Sequence, residues 1–173
     1  GDGRWGRGGS GGFVYCDIPC GRVGLVIGTG ALIPETGRIL ALRGCDILAA
    51  PSSVDCPAPY GLRGTTAGHN YPIPKGYSTI HWHLWRVRGG ENNCYMLFAN
   101  EVSSKAFGRS GIFGPDTFKF PRDERICSAE KEELASMTVD TGNSPDSVYP
   151  TNVVRRKDLV SMRQPLWYDP LVM

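Results

Sequence analysis

The stretch from Gly21 to Val54, GRVGLVIGTGALIPETGRILALRGCDILAAPSSV, constrains the fold more than any other part of the chain. Arg22 to Ile27 carries apolar residues on both faces. Val23, Leu25 and Ile27 point one way, and Gly24 and Val26 the other. That pattern predicts a strand covered on both sides. Gly28-Thr29-Gly30 follows as a turn whose glycines admit backbone conformations closed to other residues. Pro34 suits the first turn of a helix, and Glu35 suits its positive end. Ile39, Leu40 and Leu42 give that helix an apolar side, and Arg43-Gly44 ends it. Cys45 to Ala50 is the next strand. Strand, helix and strand with short links predict a crossover between parallel neighbours. Sites on such sheets lie at the carboxyl ends of the strands, which here are Gly28-Thr29-Gly30 and Pro51-Ser52-Ser53-Val54.

The flanking segments extend the same plan. Gly12 to Cys16 reads as a short strand and Asp17 to Gly21 as a turn. Cys56 to Lys75 is rich in Pro and Gly and too long for a simple link, so it reads as a surface excursion or a lid. Ser78 can cap a second helix running to about Arg88, and Cys94 to Asn100 is another buried strand. Beyond it, Phe107 to Gly114, Arg125 to Ser128 and Ala135 to Asp140 read as short strands without helices between them, which predicts antiparallel pairing. Asn152 to Arg163 reads as a helix, and the tail with Trp167, Tyr168 and Leu171 as a docking segment. The expected division is a Gly-rich lead-in over 1–11, a main domain over 12–150, and a helix with docking tail over 151–173.

Composition narrows the functions. A net charge of +2 over 173 residues points to neither nucleic acid nor an anionic membrane. No apolar run approaches the length of a membrane span, and GDGRWGRGGSGG lacks the apolar centre of a signal peptide. A chain that begins with Gly1 reads as a processed product, a trimmed piece or part of a longer protein. The six cysteines contain no CxxC pair, so reduced, packed thiols in a reducing cytoplasm are expected, with no metal and no cofactor. His81 and His83 sit two apart on an expected helix and point in different directions, and with His69 they read as surface or interface histidines.

In their order and spacing these pieces resemble the nitrilase, or carbon–nitrogen hydrolase, superfamily. The matching pieces are Gly21-Arg22-Val23-Gly24, Pro34-Glu35, Leu42-Arg43-Gly44, Asp46-Ile47-Leu48 and Pro51-Ser52. Further along, Arg86, Glu91-Asn92, Ala99-Asn100, Gly108, Ser110 and Gly114-Pro115-Asp116 match, and Arg163, Pro165, Tyr168 and Leu171 fit its ending loosely. The resemblance implies a mixed α/β fold, an α-β-β-α sandwich that is incomplete in this chain and completed by another segment or chain. It implies dimers formed through helices, often with the tail crossing to the partner. It also implies amide or nitrile chemistry by a Glu-Lys-Cys triad, in which Cys attacks, Glu moves protons and Lys stabilises the oxyanion.

The chain departs from that pattern at the site itself. The nucleophile position falls on Gly28, followed by Thr29 and Gly30 where the family has Tyr-Asp. The family's Glu and Lys lie upstream of the matched region. A catalytic set is therefore not expected in this chain. Thr29 lacks an identifiable base, Glu35 reads as a helix-start residue, Cys45 as packed and Cys56 as part of the excursion. Three functions stay open at this level. One is an inactive subunit with a structural or regulatory role in a homo- or hetero-oligomer with nitrilase-like chains, or with its own upstream segment. Another is part of an active hydrolase whose triad comes from other chains. The third is a small-molecule binding module lined by Gly28, Thr29, Val54, Asp55 and Asn100.

Overall fold

The computed structural model describes residues 12–54, 82–103, 106, 108–116, 119–142 and 153–171. They form a six-stranded sheet in chain order: β1 (Tyr15–Ile18), β2 (Gly21–Leu25), β3 (Ile47–Ser52), β4 (Tyr95–Asn100), β5 (Gly111–Phe113) and β6 (Glu124–Ile126). The pairs β2–β3 and β3–β4 are parallel, and β1–β2, β4–β5 and β5–β6 are antiparallel. The parallel centre is linked by α1 (Pro34–Leu42) and α2 (His83–Asn92), as the alternating pattern predicts. Two short helical segments, α3 (Val153–Arg156) and α4 (Asp158–Ser161), follow near the C-terminus.

Both helical links pack on one face of the sheet. Leu40, Leu48, Trp85, Met96, Phe98 and Phe113 form the centre of that core, joined by Val160 of α4. Trp85 stacks on Phe98 with ring centroids 3.9 Å apart. Gly24 lets α1 lie close to β2: a Cβ there would sit 3.0 Å from both Leu40 Cδ1 and Cys45 Sγ. Gly89 does the same for α2, since its Cβ would meet Cys94 O at 3.0 Å and Met96 Cβ at 3.2 Å. Asp46, buried at the start of β3, accepts from Arg22 N at 2.8 Å, while Asp46 N donates to Arg22 O at 2.8 Å. These two bonds fix the register of β2 against β3.

The opposite face differs from the sequence expectation that β2 is covered on both sides. Register places Val23, Ile47 and Tyr95 in one row and Leu25, Ala49, Leu97 and Ile112 in the next. The first row is covered: Ile47 and Tyr95 pack with Val154, Met137 and Val139. Toward the carboxyl ends the cover stops. Leu25 is 39% exposed, Ile27 69% and Leu97 37%.

Several boundaries also differ. β1 extends through Asp17, which pairs with Arg22 across the ladder and by a 2.6 Å ion pair. β2 stops at Leu25, and Ile27 caps the turn that follows. β3 starts at Ile47 because Cys45 N donates to Leu40 O and finishes the helix end. α2 starts at His83 and runs past Arg88 to Asn92, where Asn93 ends it in a left-handed conformation (φ 48°). Ser78 and Ile80 lie outside the described residues, as does the excursion Cys56 to Lys75. The expected strand at Ala135 to Asp140 forms no ladder among the described residues; Met137 and Val139 pack against Ile47, Tyr95 and Val154. The expected helix over 152–163 is split at Lys157, which is left-handed (φ 52°). Among the described residues no helix is long and apolar enough to cross a membrane.

Candidate functional site

The parallel strands bring their carboxyl ends together on one rim of the sheet. There β2 runs into a 3-10 turn, Gly28–Leu32, directly before α1. Gly28 is left-handed (φ 55°), a conformation that costs glycine nothing and other residues of order 1–2 kcal/mol. Among the described residues, a Cβ built on Gly28 meets no atom within 4 Å. Gly30 N donates to Ile27 O at 3.1 Å and closes the turn.

The turn is clamped from α2. Arg88, only 8% exposed, donates from Nε to Ala31 O at 3.0 Å and from Nη2 to Leu32 O at 2.9 Å. Its remaining nitrogen, Nη1, pairs with Glu91 Oε1 at 2.8 Å, and Arg38 Nη2 donates to Glu91 O at 2.8 Å. Arg88 was legible only as the end of a helix, and nothing local announces its reach. The one signal is its i,i+3 spacing to Glu91 on a buried helix face.

The candidate pocket residues divide. Val54 is buried in the main core with Val26 and Ala31, just behind the turn. Val54 N donates to Asn100 Oδ1 at 2.8 Å, and Asn100 Nδ2 donates to Gly108 O at 3.1 Å. Asn100 N and O both bond Ser110 Oγ, at 2.9 and 3.1 Å. The Asn100 amide thus ties β3 and β4 to the approach of β5, and it also lines a cavity of about 260 Å³ with Glu101, Ser110 and Cys127. Beside it, Ser53 Oγ donates to Glu101 Oε2 at 2.7 Å. Asp55 and the Thr29 side chain lie outside what the structure describes, as do Cys56, His69 and His81. His83 opens α2, exposed, within 2.9 Å of Arg86 Nη1.

Two further thiols are packed in the core. Cys45 and Cys94 are fully buried, and burial pushes Cys45 up to about 11. Burial also raises Cys94, against the pull of the Lys157 ammonium 3.2 Å from its sulfur. Lys157 Nζ also donates to Cys45 O at 2.6 Å and to Asn93 O at 3.1 Å. Buried thiols held neutral in this way are poor nucleophiles.

A strand-end turn before a helix, on a partly parallel sheet with helices on one face, defines a class of α/β domain. Within it, a family profile for carbon-nitrogen hydrolases matches residues 3–141, and the chain belongs to that family. Among solved structures, a carbon-nitrogen hydrolase from Helicobacter pylori aligns with a TM-score of 0.54 at 18% identity, over 88% of this chain and 50% of that one. Saccharomyces cerevisiae Nit3, a member of branch 10 of the nitrilase superfamily, aligns with a TM-score of 0.49 at 20% identity, over 69% of this chain and 38% of that one. An amidase of the same superfamily from Nesterenkonia gives a TM-score of 0.46 at 17% identity over 68% and 38%. The chain therefore spans half or less of the length of these solved relatives. No curated protein matches. The sheet is the fold of this superfamily with only part of the domain present.

Proposed function

We propose that this chain is a catalytically inactive member of the carbon-nitrogen hydrolase family, serving a structural or regulatory role in a larger assembly. The supporting observation is Gly28. It occupies the strand-end turn where the resemblance puts the nucleophile, no described residue lies within 4 Å of where its Cβ would be, and it carries no side chain. Covalent amide chemistry needs a nucleophile with a base in reach. The buried Cys45 and Cys94 lie in the core and do not replace it. The clamp from Arg88 keeps the turn ordered without any reacting group on it. Partners in this reading are nitrilase-like chains, the same chain, or the chain's own upstream segment. Reduced thiols, with Cys16 and Cys20 free at the surface, agree with a cytoplasmic location.

The test is hydrolysis of a panel of short aliphatic amides and nitriles by the purified chain, with intact-mass analysis for an acyl adduct. No turnover and no adduct are expected. Turnover by the chain alone contradicts the inactive reading. Turnover only in a complex whose other chains bring the triad favours the shared-site alternative.

A further inference from the structure

Two left-handed residues meet where the C-terminal segment reaches the amino ends of β3 and β4. Asn93 (φ 48°) ends α2, and Lys157 (φ 52°) stands between α3 and α4. Neither is glycine, and a lysine held in that conformation marks a position fixed by its surroundings. Leu159 N donates to Asn93 Oδ1 at 2.9 Å, Val160 joins the main core, and the Lys157 ammonium reaches inward. Its three hydrogens find three acceptors: Cys45 O at 2.6 Å, Asn93 O at 3.1 Å and Cys94 Sγ at 3.2 Å. A primary amine therefore touches a core thiol. Cys45 is the comparison within the molecule. Both cysteines are fully buried, but the Cys45 sulfur lies toward Gly24, where a Cβ would sit 3.0 Å from it. Burial raises both thiols above their ordinary value. Lys157 is the largest influence opposing that rise at Cys94 and stands behind Arg22 at Cys45.

We propose that Cys94 and Lys157 form an oxidant-responsive covalent strap, an S–N bond between Sγ and Nζ that fastens the C-terminal segment to the start of β4. The co-reactant is hydrogen peroxide, a small neutral oxidant that enters packed cores closed to bulky thiol reagents. In the first step peroxide gives one oxygen to the Cys94 sulfur and leaves as water, so the thiol is oxidised to a sulfenic acid and the peroxide is reduced. In the second step the Lys157 nitrogen attacks that sulfur. The S–N bond forms and the S–O bond breaks. The ammonium loses two protons, one to the departing hydroxyl, which leaves as water, and one to solvent. The geometry suits this step. The N–H aimed at Sγ marks the line along which the nitrogen lone pair points once that proton has gone, while Cys45 O and Asn93 O hold the amine in place. The ammonium also favours the small thiolate fraction that peroxide attacks, so the reaction is slow and selects Cys94 over Cys45. No residue of the Gly28 turn takes part, so the strap stands or falls independently of the inactive reading.

The experiment is peroxide treatment of the native protein that carries this chain, followed by peptide mapping without reductant. The expected product joins the Cys94 and Lys157 peptides with loss of two hydrogens, leaves Cys45 free, and reverts on addition of a thiol reductant. In the crosslinked form the amides of α4 should exchange at least about tenfold more slowly, because the bond closes the chain between residues 63 apart. Lys157→Arg keeps the cation and removes the amine, so Cys94 should stop at its sulfenic or sulfinic acid with no crosslink. In Cys94→Ser, peroxide should leave α4 exchange unchanged. The unsubstituted protein decides the matter even if either variant folds poorly. A disulfide between Cys45 and Cys94 overturns the proposal. So does an unmodified Cys94 in protein whose exposed Cys16 and Cys20 are fully oxidised. A crosslink that leaves α4 exchange as it was overturns the strapping role.

Discussion

The two faces of the sheet are written in nearly the same alphabet and end in different states. Leu40, Leu48, Met96 and Phe98 meet helices and lose all contact with water. Leu25 on β2, Ile27 just beyond it and Leu97 on β4 keep a third or more of their surface wet. Alternation in sequence reports which residues seek cover. It does not report whether the cover is in the same chain. An apolar residue stabilises a fold only where something removes it from water, at about 25 cal/mol per Å².

The largest expected effect breaks the comparison at its dry face. Leu40→Ala removes a fully buried side chain between α1 and β2 and should cost about 3 kcal/mol of folding stability by denaturant unfolding. Leu97→Ala should cost about 1 kcal/mol or less, since its surroundings are already wet. Equal costs would mean that the second face is covered within the chain, and the comparison would fail.

How far the sequence carried this picture depends on where the deciding contacts lie. Strand β2, the turn, Pro34 and β3 were legible because their signals are local: apolar runs, a helix-start proline and glycines at the bends. The second helix reads as ending near Arg88, yet α2 continues through Gly89 and Gly90, and Gly89 is where the helix lies against Cys94 and Met96. Asn152 to Arg163 reads as one helix, but Lys157 turns left-handed as its ammonium reaches the carbonyls of Cys45 and Asn93. Asn100 was legible as a strand-end residue and not as the amide joining Val54 to Gly108. Arg88 was missed as the clamp on the turn. For Lys157, Asn100 and Arg88 a deciding partner is tens of residues away, and tertiary contact overrides local preference.

A smaller effect tests the dry face by pH. Burial lifts Cys45 from its ordinary value of 9.0 to about 11. Between those values the unfolded chain gives up the proton and the folded chain keeps it. The contribution is fully present below pH 9 and is lost as pH rises through 11. Stability should therefore fall across that window, with a shallower slope in Cys45→Ser. In native buffer, Cys16 and Cys20 should react with a thiol reagent well before Cys45 and Cys94, since the first two are exposed and the others buried. An unchanged slope in Cys45→Ser together with early labelling of Cys45 would place that thiol at the surface.

The central claim is that Gly28 stands, open and emptied, at the nucleophile position of a hydrolase fold. Gly28→Cys tests it most directly, followed by timed reaction with a small electrophile and peptide mapping, with amide hydrolysis run in parallel. The turn has room for the side chain, at a strain of order 1–2 kcal/mol from its left-handed backbone. The account predicts a new thiol that labels at least about tenfold faster than Cys45 and Cys94 while amides stay intact, because no base activates it. A thiol at residue 28 as slow as those two would show that the position is closed, and the reading of this turn as an emptied site would be wrong.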